Sequence, residues 1–111
     1  MKSLFIGRYQ LFHEGHKKLM EVELKEGNDV VIAIRDTEIS EKNPYSIEDR
    51  EEVIHEAMKE WEGRYDVILI PDIERVCYGR EVGWDIRQIK LDDETEAISA
   101  TKIREELESD T

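Results

Sequence analysis

Cysteine is nearly missing from this chain: Cys77 stands alone among 111 residues. A single cysteine excludes an intrachain disulfide and makes a reducing compartment the simpler expectation, so the chain is read as cytoplasmic. With no partner, Cys77 is expected as a small core residue rather than a nucleophile. Proline is scarce as well, at two residues, Pro44 and Pro71. No linker, repeat or low-complexity tract divides the chain, and residues 1–111 read as one domain with one core. Long apolar runs are also lacking. None approaches a membrane span, and Met1-Lys2-Ser3 leads into a strand pattern without a signal-peptide layout, so no membrane partner is expected. Basic residues are outnumbered, 16 Lys and Arg against 28 Asp and Glu, for a net charge of −12. That balance disfavours general nucleic-acid binding, which depends on neutralising phosphates. The acid excess reads as a solvated surface. A phosphate ligand would then need a local basic patch or a divalent metal.

What the chain does have is an alternation of short buried strands and amphipathic helices. Ser3-Leu4-Phe5-Ile6-Gly7 and Val30-Val31-Ile32-Ala33-Ile34 are apolar runs of strand length, and Asp66-Val67-Ile68-Leu69-Ile70 is a third, closed by Pro71. Residues 14–26 place Leu19, Met20, Val22 and Leu24 among Lys and Glu, a helix that Gly27-Asn28 should stop. Ser46 opens a second helix with a capping-box-like Ser46-Ile47-Glu48-Asp49, and its apolar residues run on to Trp61 before Gly63. Residues 84–91 alternate well enough for a fourth strand. Ser99 should cap a last helix running to about Leu107. Strand and helix in this order predict a parallel α/β sheet covered by helices on both faces. Ligands in such sheets bind at the carboxyl ends of the strands.

The segment that carries chemistry is Phe12-His13-Glu14-Gly15-His16. It falls between the first strand and the first helix, where a turn at Gly15 should present free N–H groups and the positive end of the helix dipole. Two imidazoles beside that helix start can donate hydrogen bonds to a phosphoryl group as charge builds on it. Other candidates read more plainly. His55 is expected to face solvent, and Trp61 and Trp84 to fill core or interface. Arg50 is either a ligand contact or half of a helix-surface pair with Glu51 or Glu52.

In this setting the chain resembles the nucleotidylyltransferase superfamily, the Rossmann-like enzymes that include nicotinamide-mononucleotide adenylyltransferases and glycerol-phosphate cytidylyltransferases. Gly7-Arg8-Tyr9-Gln10-Leu11-Phe12-His13-Glu14-Gly15-His16 is similar to the adenylyltransferase opening. Asn43-Pro44-Tyr45-Ser46 with Arg50, and Ile70-Pro71-Asp72-Ile73, look like later segments of the same family. Glu96-Ala97-Ile98-Ser99-Ala100-Thr101-Lys102-Ile103-Arg104 looks like the cytidylyltransferase closing motif. The first motif alone is shared with class I aminoacyl-tRNA synthetases; the pair of motifs is far more specific.

The resemblance implies a three-layer α/β/α fold with a small parallel sheet of about four to five strands. It also implies a reaction: a phosphate-bearing acceptor attacks the α-phosphate of a nucleoside triphosphate, and pyrophosphate leaves. His13, His16 and Lys18 would be the catalytic groups. Gly7, Arg8, Tyr9, Gly15, Ser99, Thr101 and Lys102 would hold the nucleotide, with Arg80 near the base. Asp36 and Arg50 would face the acceptor. Mg²⁺ would arrive with the triphosphate, and no protein-held metal is expected. The opening motif is adenylyltransferase-like and the closing one cytidylyltransferase-like, and the longer continuous match places CTP slightly ahead of ATP. The acceptor stays open among sugar, polyol or choline-type phosphates and mononucleotides. Three departures stand out. Leu11-Phe12 replaces the usual proline, Asp92-Asp93-Glu94 lies where an arginine is common, and residues 71–83 leave no room for the usual extra βα unit. The shortened sheet suggests a homodimer covering its edge. A non-catalytic nucleotide-binding or sensing module is the alternative reading.

Overall fold

A computed structural model of the chain describes residues 1–77, 79 and 85–89. The β-branched and aromatic runs form three strands: β1 (Lys2–Gly7), β2 (Asp29–Asp36) and β3 (Tyr65–Pro71). They pair in parallel in the order β1-β2-β3, with Phe5 beside Ile32 and Ile32 beside Val67 across the middle row. Parallel neighbours need crossovers, and α1 (Glu14–Lys25) and α2 (Ile47–Ala57) supply them. Both crossovers step the same way along the sheet, and right-handed connections then put both helices on one face. The core agrees. Val30, Ile32 and Ile34 of β2 pack with Met20 and Leu24 of α1 and with Ile54 and Met58 of α2.

The opposite face of the sheet is open among the described residues. Leu4 is 58% exposed, Ile6 39% and Ile68 42%. The α/β fold, parallel strands and strand-helix alternation therefore match the sequence reading. The described sheet has three strands rather than four or five, with its helices on one side. The expected fourth strand over 84–91 is not formed where it can be followed: residues 85–89 take no regular secondary structure. Alternation alone does not make a strand when no edge receives it. Ile86 is 83% exposed, and Arg87 is drawn to the end of α1 by Glu23 (3.0 Å) and Glu26 (2.8 Å). Cys77 is exposed rather than in the core, because its segment lies past β3, where no described residue packs over it.

Local signals set the helix limits. Gly27, at φ +92°, takes the left-handed turn that releases the chain from α1 into β2. Ser46 caps α2, its hydroxyl oxygen accepting from the Asp49 N–H at 3.1 Å. That helix ends at Ala57, not Trp61, and continues as a 3₁₀ turn over Lys59–Trp61. Trp61 is half-buried against the core, and its indole N–H donates to Glu21 at 3.1 Å. His55 is exposed as expected, and its ring nitrogen lies 2.8 Å from the Tyr65 hydroxyl. No helix among the described residues is long and apolar enough to cross a membrane.

Candidate functional site

β1 ends at Gly7 and β2 at Asp36, so the loops that follow them share the carboxyl edge of the sheet. Tyr9 holds a φ of +51°, and its ring folds back over Gly7. A Cβ at Gly7 would lie 3.0 Å from the ring, so any larger residue would push the ring outward. This fold-back buries Tyr9 and Phe12, each 5% exposed. Tyr9 meets the His16 ring edge-on at 5.1 Å, and Phe12 lies 5.4 Å from it. Burial also holds the Tyr9 hydroxyl protonated far above its ordinary range. Gly7 and Tyr9, expected as nucleotide contacts, both line the cavity beside His16, and Tyr9 also braces the His16 ring.

The two histidines act as one unit. Their rings stack at 3.7 Å. His13 caps α1: its Nδ1 accepts from the Gly15 N–H at 3.0 Å, while the His13 N–H donates to His16 Nδ1 at 3.1 Å. Each accepting Nδ1 must be unprotonated, so in the neutral rings the proton sits on Nε2. Burial favours those neutral rings. It pushes His16 down to about 3, with the charge of His13 adding to the effect, and burial lowers His13 as well. The Gly15 N–H, expected to be free for phosphate, is therefore occupied by His13. What the loop offers instead is a fixed pair of Nε2–H donors. The His13 Nε2 is buried and has no hydrogen-bond partner among the described residues. A buried donor without a partner costs about 1–3 kcal/mol, and such groups are rare enough to need a reason.

Arg50 departs from the surface pairing that was one of its two expected roles. It is 0% exposed, so it forms no surface pair. Its Nη1 donates to the carbonyls of Arg8 (2.8 Å) and Arg35 (2.9 Å), and its Nε to that of Ser46 (3.3 Å). Burial lowers its pKa and the nearby Asp36 carboxylate opposes that shift, so the guanidinium remains charged at neutral pH. Arg50 thus ties the ends of β1 and β2 together from within. Gln10, 1% exposed, does a parallel job: its amide donates to the Tyr45 carbonyl and accepts from the Tyr45 N–H, both at 3.0 Å. Sequence reasoning missed Gln10, because nothing in a lone glutamine signals a backbone clamp.

Beside His16 opens a cavity of about 260 Å³ whose polar wall includes Arg8 and Arg35. Asp36 is exposed at the end of β2, and Lys18 is exposed on α1. Ser99, Thr101, Lys102 and Arg80 lie outside the described residues. No cluster of three or more His, Cys, Asp or Glu among the described residues could hold a metal ion.

Residues 4–85 match the family model described as Cytidylyltransferase-like. The chain belongs to this family. Its relatives include the nicotinamide-nucleotide adenylyltransferase of Thermococcus sibiricus, 36% identical over 78 residues, covering 66% of this chain and 42% of that protein. The enzyme of the same name from Methanococcus aeolicus is 28% identical, covering 96% of this chain and 77% of its own length. That alignment runs over 134 positions, more than this chain's 111 residues, so the relative carries residues with no counterpart here. Against the Thermococcus relative, the chain spans about two fifths of the length. Among solved structures, a bifunctional NMN adenylyltransferase/ADP ribose pyrophosphatase from Francisella tularensis superposes with a TM-score of 0.53 and 31% identity, over 63% of this chain and 21% of that one. These family members are named for adenylyl transfer, so the lean toward CTP gains no support from them.

Proposed function

We propose that this chain performs nucleotidyl transfer of the adenylyltransferase type. ATP is the donor and a mononucleotide phosphate, with nicotinamide mononucleotide first in line, is the acceptor. An acceptor phosphate oxygen forms a bond to the α-phosphorus, the bond from that phosphorus to the bridging oxygen breaks, and the electron pair leaves on pyrophosphate. Little covalent help is needed; the protein positions the groups and stabilises charge. The observation that carries this reading is the stacked histidine pair with its tautomers fixed and the His13 Nε2–H left without a partner. A buried donor kept waiting suits an oxygen that gains charge only during the reaction. One such donor is worth about 3–4 kcal/mol of barrier in comparable sites.

ATP rather than CTP is supported by the names of the relatives. Mg²⁺ enters with the triphosphate as part of the substrate. A second Francisella structure, similar at a TM-score of 0.50, was solved with AMP and a manganese ion. In this proposal Arg8 adds charge beside His16, and Ser99, Thr101 and Lys102 take the β- and γ-phosphates. The test is pyrophosphate release with Mg²⁺, nicotinamide mononucleotide and either ATP or CTP, run beside His13→Ala and His16→Ala. Release with ATP, reduced about 100- to 1,000-fold in each variant, is expected. Saturable ATP binding without release, across a panel of phosphorylated acceptors, would favour the nucleotide-binding module instead.

A further inference from the structure

The cavity beside His16 has an unusual electrostatic character for so acidic a chain. Its lining includes Arg8, Arg35 and His16, and none of its described lining residues is acidic. The protein as a whole carries −12. A low-dielectric cleft with cations of one sign on its wall concentrates anions even when the net charge opposes them. The same lining includes apolar side chains, Phe5, Leu19 and Met20.

Arg35 is the part of this wall not yet assigned a role. It stands near the carboxyl end of β2, and its side chain is 28% exposed. One oxygen of Asp72 takes both Arg35 Nε (3.0 Å) and Nη2 (2.7 Å). Among the described residues, Nη1 has no partner. The fork is therefore held from one edge and open at the other. An arginine fixed this way loses little further entropy on binding and keeps donors suited to a phosphate or carboxylate. Its backbone is fixed too, because the Arg35 carbonyl accepts from the buried Arg50.

We infer that Arg35 determines acceptor specificity by pairing with the acceptor's phosphomonoester in the cavity beside His16, and that Asp72 is its positioning residue. The apolar part of the lining then meets the uncharged part of the acceptor. This inference rests on the nucleotidyl-transfer reading for its choice of ligand, but it can fail or stand separately.

The test uses the full chain, with nicotinamide mononucleotide as the probe, followed by titration calorimetry without ATP and by steady-state kinetics with it. Arg35→Met should weaken probe binding and raise the KM for the probe about 10- to 100-fold, the range of one hydrogen bond to a charged group. The KM for ATP should stay within about 2-fold. Arg35→Lys should recover part of the loss, and Asp72→Asn should give a smaller loss of the same kind. Circular dichroism confirms that each variant is folded; Asp72→Asn weakens the Arg35 pair at a half-exposed side chain and keeps the test open if Arg35→Met does not fold. Probe binding that needs Arg35, in a protein that releases no pyrophosphate, would uphold this inference while sinking the reaction. Turnover with an unchanged KM for the probe in Arg35→Met would overturn the inference and leave the reaction standing. Equal rises in both KM values, or no binding of the probe to the unaltered protein, would also overturn it.

Discussion

Replacing Arg50 by methionine keeps much of the volume and removes the charge, so it isolates what the buried guanidinium contributes. Two of its bonds are short, at 2.8 Å to the Arg8 carbonyl and 2.9 Å to the Arg35 carbonyl. A hydrogen bond to a charged group contributes about 1.5–3 kcal/mol, so losing two would cost about 3–6 kcal/mol. Two effects reduce this. The Arg35 carbonyl keeps a second donor, the Thr37 N–H at 2.8 Å. Removing a buried charge also recovers part of its desolvation cost. The net expectation for Arg50→Met is a loss of about 2–4 kcal/mol, a large part of the stability of a domain this size. Arg50→Lys keeps the charge but cannot span both carbonyls with one ammonium, so it should fall between the two. Urea unfolding followed by tryptophan fluorescence measures both. An Arg50→Met midpoint within about 1 kcal/mol of the parent would refute the argument, because the carbonyls would then have found other partners at no cost.

Three further outcomes follow from the same physics. His16 sits at about 3 against an ordinary 6.5, so the unfolded chain binds a proton there before the folded one does. Stability is fully present above about pH 6.5 and should fall by up to about 1.4 kcal/mol per unit as the pH drops toward 3. Urea titrations at pH 7 and pH 5, above the range where Glu23 and Asp29 ionise, should differ by about 2 kcal/mol, and His16→Gln should flatten the slope; equal midpoints in the parent would contradict the burial argument. Gly27→Ala should cost about 1 kcal/mol from backbone strain alone, since a Cβ there meets nothing within 4 Å, and a thermal melt reads it. Gly7→Ala should disturb Tyr9, and through it the brace behind His16. Pyrophosphate release should therefore drop by more than stability does.

The apolar strand runs made the α/β order legible, because Val30 to Ile34 is too short and too β-branched for anything else. The histidine motif was legible as well, since its residue types and its place before a helix are local facts. What lay hidden was tertiary. Arg50 sits among Glu48, Asp49, Glu51 and Glu52, a neighbourhood that reads as a solvated face. Only the packed structure reveals that its side chain points the other way. Arg35 gave a fainter signal, a basic residue at the carboxyl end of a buried strand in an acidic chain. The absence of a strand over residues 85–89 shows the limit of periodicity: alternation states which side of a strand would be buried, not whether a neighbouring strand is there to pair with it.

The strand order has a consequence for how the molecule forms. Each described pairing joins one strand to the next strand along the chain, β1 to β2 and β2 to β3. No described strand has to wait for a distant segment before it pairs. Such a layout favours stepwise growth, with each βα unit docking on the one before it. The histidine pair, the Arg50 clamp and the Arg35–Asp72 pair all lie within the first 72 residues. During synthesis, these parts can assemble while the rest of the chain is still being made.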